Sequence, residues 1–121
     1  MKIKAALFLL LLFFSFSCQN EIEGNNDGYK MLLIGNSFFR PYAENLEKIA
    51  FDAGFIDHDA SLVFRGGENG RPVNFWNDST TNEHLRIKSV LDQGKVEIFG
   101  MTAGHDLDNP IEGHKAWIEY A

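Results

Sequence analysis

Three short apolar runs set the frame for this chain. They are Met31 to Ile34, Ser61 to Phe64 and Val96 to Met101. Each is strand-length, and each is followed by glycine and small polar residues: Gly35-Asn36-Ser37, Arg65-Gly66-Gly67 and Ala103-Gly104-His105-Asp106. Continuous apolar runs of this kind suit strands buried on both faces, as in a parallel sheet. Helical patterns separate them. Pro41 sits at a first-turn position, where its missing N–H costs nothing. Tyr42, Leu46, Ile49, Ala50 and Ala53 then fall on one face, and Gly54 offers a stop. A second helix is expected from Asn82 to Asp92, with Leu85, Val90 and Leu91 as apolar contacts and Gly94 closing it. In a third helix Asn109 is the N-cap and Pro110 the first residue, and His114, Trp117, Ile118 and Ala121 share a face. Strand and helix alternate throughout, which predicts an α/β fold: a three-layer α/β/α sandwich on a parallel sheet. Ligands in such sheets gather at the carboxyl ends of the strands, where all three glycine-containing segments stand.

Gly66 to Thr81 reads as a long polar loop, punctuated by Gly67, Gly70, Pro72 and Asn77-Asp78. Loops of this length are commonly functional or disordered. Phe75-Trp76 inside it either stack on a sugar ring or pack the loop onto the body. Ala121 falls within an apparent amphipathic helix with no cap, and three strands are few for such a sheet. The expectation is therefore a domain cut short.

The first 17 residues form a leader. Lys2 and Lys4 precede the apolar run Ala5 to Phe16, which as a helix spans about 18 Å against a bilayer core of roughly 30 Å. This reads as a secretory signal peptide, not a membrane span. Ser15-Phe16-Ser17-Cys18 is similar to the lipobox of bacterial lipoproteins, and Cys18 is the only cysteine. A diacylated Cys18 is a stable two-chain anchor. Residues 18–28 form a polar tether, so the expected location is extracytoplasmic, on a membrane, with simple secretion as the alternative. The folding unit is 29–121.

Net charge is −6, and −8 without the leader, with nine basic residues against 17 acidic. No basic stripe exists to neutralise phosphates, so nucleic acid is not an expected partner. One cysteine excludes an intramolecular disulfide and a Cys-based zinc cage. His105, Asp106 and Asp108 do not match a metal-ligand spacing, and Gly66 to Gly70 lacks the Lys-Ser or Lys-Thr of a phosphate loop. No metal or organic cofactor is expected. His58 and His84 carry no partner visible in the sequence.

The stretch Leu32-Leu33-Ile34-Gly35-Asn36-Ser37 puts a serine between a buried strand and a helix. It is no G-x-S-x-G elbow. It resembles block I of the SGNH (GDSL-type) hydrolases, with Asn36 in the usual Asp position. The resemblance implies a flavodoxin-like sandwich and a serine esterase acting on carbohydrate or lipid esters. Ser37 is then the nucleophile. A glycine after the second strand gives an N–H to the oxyanion hole; Gly66 and Gly67 stand there, and Gly67 is preferred. The G-x-N-D block corresponds to Ala103-Gly104-His105-Asp106, so His105 takes the oxyanion-binding place, where a neutral imidazole still has one donor. The family's Asp-x-x-His, which supplies the base, does not occur in these 121 residues. Without a base the hydroxyl is a poor nucleophile, so this chain by itself is expected to be nearly inactive. The alternative is a non-catalytic saccharide-binding lipoprotein of the same fold, using the sheet-edge pocket and Phe75-Trp76.

The lipobox reading has a direct test. In a host that matures bacterial lipoproteins, the chain is expected to incorporate labelled palmitate, and Cys18→Ser is expected to abolish the label. Incorporation that survives this substitution rules the anchor out.

Overall fold

The computed structural model describes residues 27–102 and 111–121. Strands β1 (Lys30–Asn36), β2 (Asp59–Arg65) and β3 (Ile98–Met101) form one parallel sheet in the order β2-β1-β3. Helices α1 (Arg40–Asp52), α2 (Pro72–Asn77), α3 (Asn82–Leu91) and α4 (Glu112–Tyr120) complete it, with a 3₁₀ turn at Gly67–Gly70 before α2. The α/β class and the parallel sheet agree with the reading of the sequence. Strands β1 and β2 run longer than the apolar cores that announced them, pairing from Lys30↔Asp59 to Asn36↔Arg65. Strand β3 is shorter, because Val96 and Glu97 precede it. Glu97 still ties the edge: its N–H donates to the Lys30 carbonyl at 2.8 Å, and the Lys30 N–H donates to its carboxylate at 2.8 Å.

Successive side chains on a strand face opposite sides. Leu32 and Ile34 of β1, with Val63 of β2, join Phe75, Ile87, Leu91 and Trp117 in the main core. Leu33 and Gly35 belong to the other face, where Phe39 meets Phe64 edge-on at 6.1 Å between ring centres. Helix α1 covers that second face with Ala43 and Ala50, both buried.

This corrects the expected face of α1. Tyr42, Leu46 and Ile49 are exposed, at 74%, 43% and 62%, and Ala53 is exposed as well. Ala50 alone of the expected stripe is buried. The apolar arc of this helix runs from Ile49 and Tyr42 through Leu46 to Ala50 and Ala43, and only its alanine flank packs inward, so periodicity alone did not pick the inward face. The alanines allow the helix backbone to approach the sheet, whereas the larger side chains do not fit there. The helix ends as expected. Gly54, at φ +82°, gives its N–H to the Phe51 carbonyl, and Phe55 reaches back to Ala50, a Schellman closure.

The segment read as a long polar loop is also corrected. It holds the 3₁₀ turn and α2, and Phe75 is fully buried. Trp76 packs on the core and meets Trp117 edge-on at 4.9 Å. Pro72 opens α2, its carbonyl accepting the indole N–H of Trp117 at 3.0 Å. In α3 the buried residues are His84, Ile87 and Leu91, while Leu85 is exposed. In α4, Trp117 and Gly113 are buried, His114 is half-buried, and Ile118 and Ala121 are exposed. Asn109 and Pro110 lie outside the described residues.

Gly113 sets how closely α4 approaches α2. A Cβ there would lie 2.2 Å from the Val73 nitrogen and 2.4 Å from its Cα. These are backbone atoms, so a rotamer change gives no relief. Gly113→Ala is expected to destabilise the fold by about 1–3 kcal/mol through overpacking. Urea unfolding followed by tryptophan fluorescence measures it, and an unchanged midpoint would contradict this packing.

Candidate active site at the carboxyl edge of the sheet

Because the strands are parallel, their carboxyl ends share one edge. Ser37 follows the last residue of the central strand β1 and is exposed. Its position is held by Asn36, only 8% exposed. The Asn36 side-chain oxygen accepts the N–H of Phe38 at 3.1 Å and of Phe39 at 3.2 Å, while its main-chain carbonyl accepts Phe39 N–H as well. Asn36 therefore closes a tight turn with Ser37 at its corner, and it satisfies two N–H groups just ahead of α1. An aspartate in its place would accept the same bonds, so the Asn for Asp exchange leaves this structural role intact.

The 3₁₀ turn crosses the same edge. A Cβ on Gly70 would lie 2.5 Å from the Asn36 Cα, 2.6 Å from the Gly35 carbonyl oxygen and 2.8 Å from the Arg65 carbonyl oxygen. Gly70 is thus the glycine pressed against the serine strand, a residue whose role the sequence reading missed. Its signal was present as the third glycine of Gly66-Gly67-Glu68-Asn69-Gly70. Gly67 opens the turn at φ +52° with open space around its Cβ direction, and Gly66 is extended and equally open. Asn74 pins the turn from α2, donating to the Glu68 carbonyl at 2.6 Å. The third strand contributes Thr102, whose hydroxyl would sit 2.4 Å from a Cβ on Gly35 and has no hydrogen-bond partner among the described residues. Gly35 is glycine because Thr102 and Phe39 occupy that space.

The structure thus brings Ser37 and the Gly66–Gly70 segment to one edge. His105, with Ala103, Gly104 and Asp106, lies outside the described residues, as does Cys18. Ser37 makes no hydrogen bond to any described residue. The described histidines lie elsewhere. His58 accepts the Tyr29 N–H at 3.3 Å, at the opposite edge of the sheet. His84, which the sequence left without a partner, is buried and donates from Nδ1 to the Phe75 carbonyl at 2.8 Å. His114 lies on α4, its Nδ1 buried. Among the described residues no group of three His, Cys, Asp or Glu is placed to hold a metal ion, and no helix is long and apolar enough to cross a membrane.

Beside this edge Arg65 organises a polar cluster. Its guanidinium, 10% exposed, donates to Asp78 at 2.8 Å and to the Thr81 hydroxyl, and pairs with Glu83 at 3.4 Å. It lies over the Phe75 ring at 4.9 Å. Thr81 caps α3, accepting the His84 N–H at 3.4 Å. No protein-family model, curated protein or solved structure matches the chain.

The Glu83 carboxyl is held below its ordinary value of 4.5, first by the hydrogen bond from its own backbone N–H and then by Arg65, against an opposing effect of desolvation. A depressed carboxyl contributes stability above its unfolded value and loses it as pH falls through the folded one. Glu83→Gln is therefore expected to unfold at lower urea than the parent at pH 7, and the gap is expected to close as pH drops below 4.5. A gap that persists at pH 3 would refute this assignment.

Proposed function

We propose that this chain carries the nucleophile edge of a serine ester hydrolase of the SGNH type, on a three-layer α/β/α sandwich, in a cell-envelope lipoprotein held by Cys18. The observation that carries the reading is the position of Ser37. It is an exposed corner residue at the carboxyl end of the central strand, fixed by Asn36 and flanked by a glycine-rich turn. A hydroxyl there meets an ester carbonyl without moving the backbone. The Ser37 N–H and the Gly67 N–H are assigned to the oxyanion of the tetrahedral intermediate, with His105 as the side-chain donor. Such donors stabilise charge that develops only in the transition state. The substrate class is an acyl ester of a carbohydrate or a lipid.

No described histidine touches Ser37, and the 121 residues contain no Asp-x-x-His. The hydroxyl proton therefore has no described acceptor, which accounts for the low turnover expected of this chain. An oxyanion hole and substrate binding alone still give about 10³–10⁴-fold over water in serine hydrolases that lack their triad. For the saccharide-binding alternative, Phe75 is buried in the core and offers no ring to a sugar, while Trp76 packs on that core and stays partly exposed.

A fluorophosphonate probe tests the reading. Slow labelling at Ser37 is expected, above that of the urea-unfolded chain and absent in Ser37→Ala, with p-nitrophenyl acetate turnover near background. Labelling confined to other residues, or none, defeats the assignment of Ser37. Rapid turnover abolished by Ser37→Ala keeps Ser37 but defeats the account of the missing base.

A further inference from the structure

We propose that the open cleft beside Arg65 is a subsite for a neutral, hydroxyl-rich sugar ring, the alcohol portion of the ester; this rests on the hydrolase reading above and selects carbohydrate over lipid. The cleft measures about 510 Å³ and is lined by Phe64, Arg65, Asn69, Asp78, Thr81 and Glu83, with Gly66 at its rim. It belongs to the same sheet edge as Ser37. Arg65 is the register partner of Asn36, and the Gly70 backbone bridges the two strand ends.

The charges decide which ligand it takes. Arg65 is committed to Asp78, Thr81 and Glu83 and lies against Phe75, so it is not free to meet an anion. Two carboxylates against one guanidinium leave the cleft with a net negative charge. A phosphate, a uronate or a fatty-acid carboxylate is repelled there. An acyl chain fares no better, because covering Asp78 and Glu83 with hydrocarbon strips water from charged oxygens without replacing their hydrogen bonds.

A neutral polyol meets the site on its own terms. Asp78 and Glu83 are half-exposed, at 53% and 41%, and each uses one oxygen on Arg65. The second oxygen of Asp78 accepts a hydrogen bond from a sugar hydroxyl, and the lone pairs of Glu83 not taken by Arg65 and its own backbone N–H accept another. Asn69 is exposed, makes no hydrogen bond to the described residues, and supplies both an acceptor and two donors. The Arg65 fork holds both carboxylates in place, so the acceptors are preorganised and their ordering is not charged against binding. Phe64 gives the one apolar wall.

Saturation-transfer NMR on the full chain provides the test, with xylotriose, cellotriose and chitotriose as neutral probes and trigalacturonate as the anionic one. At least one neutral trisaccharide is expected to bind, trigalacturonate about tenfold more weakly. Asn69→Ala breaks no hydrogen bond seen in the fold, and it is expected to weaken binding by about tenfold, the scale of a lost hydrogen bond to a polar ligand. Asp78→Asn is expected to weaken it further, with circular dichroism confirming the fold. The proposal is overturned if no neutral trisaccharide binds, if binding ignores Asn69→Ala, or if trigalacturonate binds as well. Fluorophosphonate labelling separates the two levels. Labelled Ser37 without sugar binding defeats the subsite alone. Asn69-dependent binding without labelling supports the subsite and defeats the hydrolase reading.

Discussion

Leu32, Leu33 and Ile34 follow one another along β1, face alternate sides of the sheet, and are all buried. A strand apolar on both faces is unstable unless both are covered and both edges paired. That constraint places β1 in the middle, between β2 and β3, and calls helices to both sides. The main core then forms on one side, around Phe75, Ile87 and Trp117, while α1 closes the other with two alanines. The edge that carries Ser37 follows from this arrangement, because the strand ending there is the most firmly held in the sheet.

Close backbone approach is the second organising feature. Gly70 lies against β1 and the end of β2, Gly35 makes room for Thr102 and Phe39, and Gly113 brings α4 onto α2. Gly70 against β1, Gly35 against Thr102 and Gly113 against Val73 join segments distant in sequence, and each tolerates no side chain. Together they fix the glycine-rich turn beside the serine, and they carry the Trp117 indole to the Pro72 carbonyl. The site edge and the second layer are thus coupled through α2, whose Phe75 lies beneath Arg65 while its Asn74 pins the 3₁₀ turn.

Arg65 links the fold to the candidate site. As the last residue of β2 it sits where a parallel sheet presents its ligand edge, yet most of its charge is used internally. It fastens the α2–α3 junction to the strand and orients two carboxylates toward solvent. Two carboxylates on one guanidinium make its environment net negative.

The sequence by itself determined the alternation of strand and helix, the parallel sheet, the ends of α1 at Pro41 and Gly54, and the placement of Ser37 after a buried strand. These are local features: apolar run length, proline and glycine geometry, and the order of elements. Tertiary structure alone decided which part of α1 turns inward, since its apolar arc is wider than the face that packs and only the space above the sheet selects Ala43 and Ala50 over Tyr42 and Ile49. It also decided that the polar stretch from Gly66 to Thr81 folds as a 3₁₀ turn and α2. Phe75 and Trp76 find their burial partner Trp117 in α4, a separation that local pattern does not span. For the same reason the partners of His84 and Arg65 were invisible: their bonds depend on how α2 and α3 pack on β2, and on nothing their immediate neighbours encode.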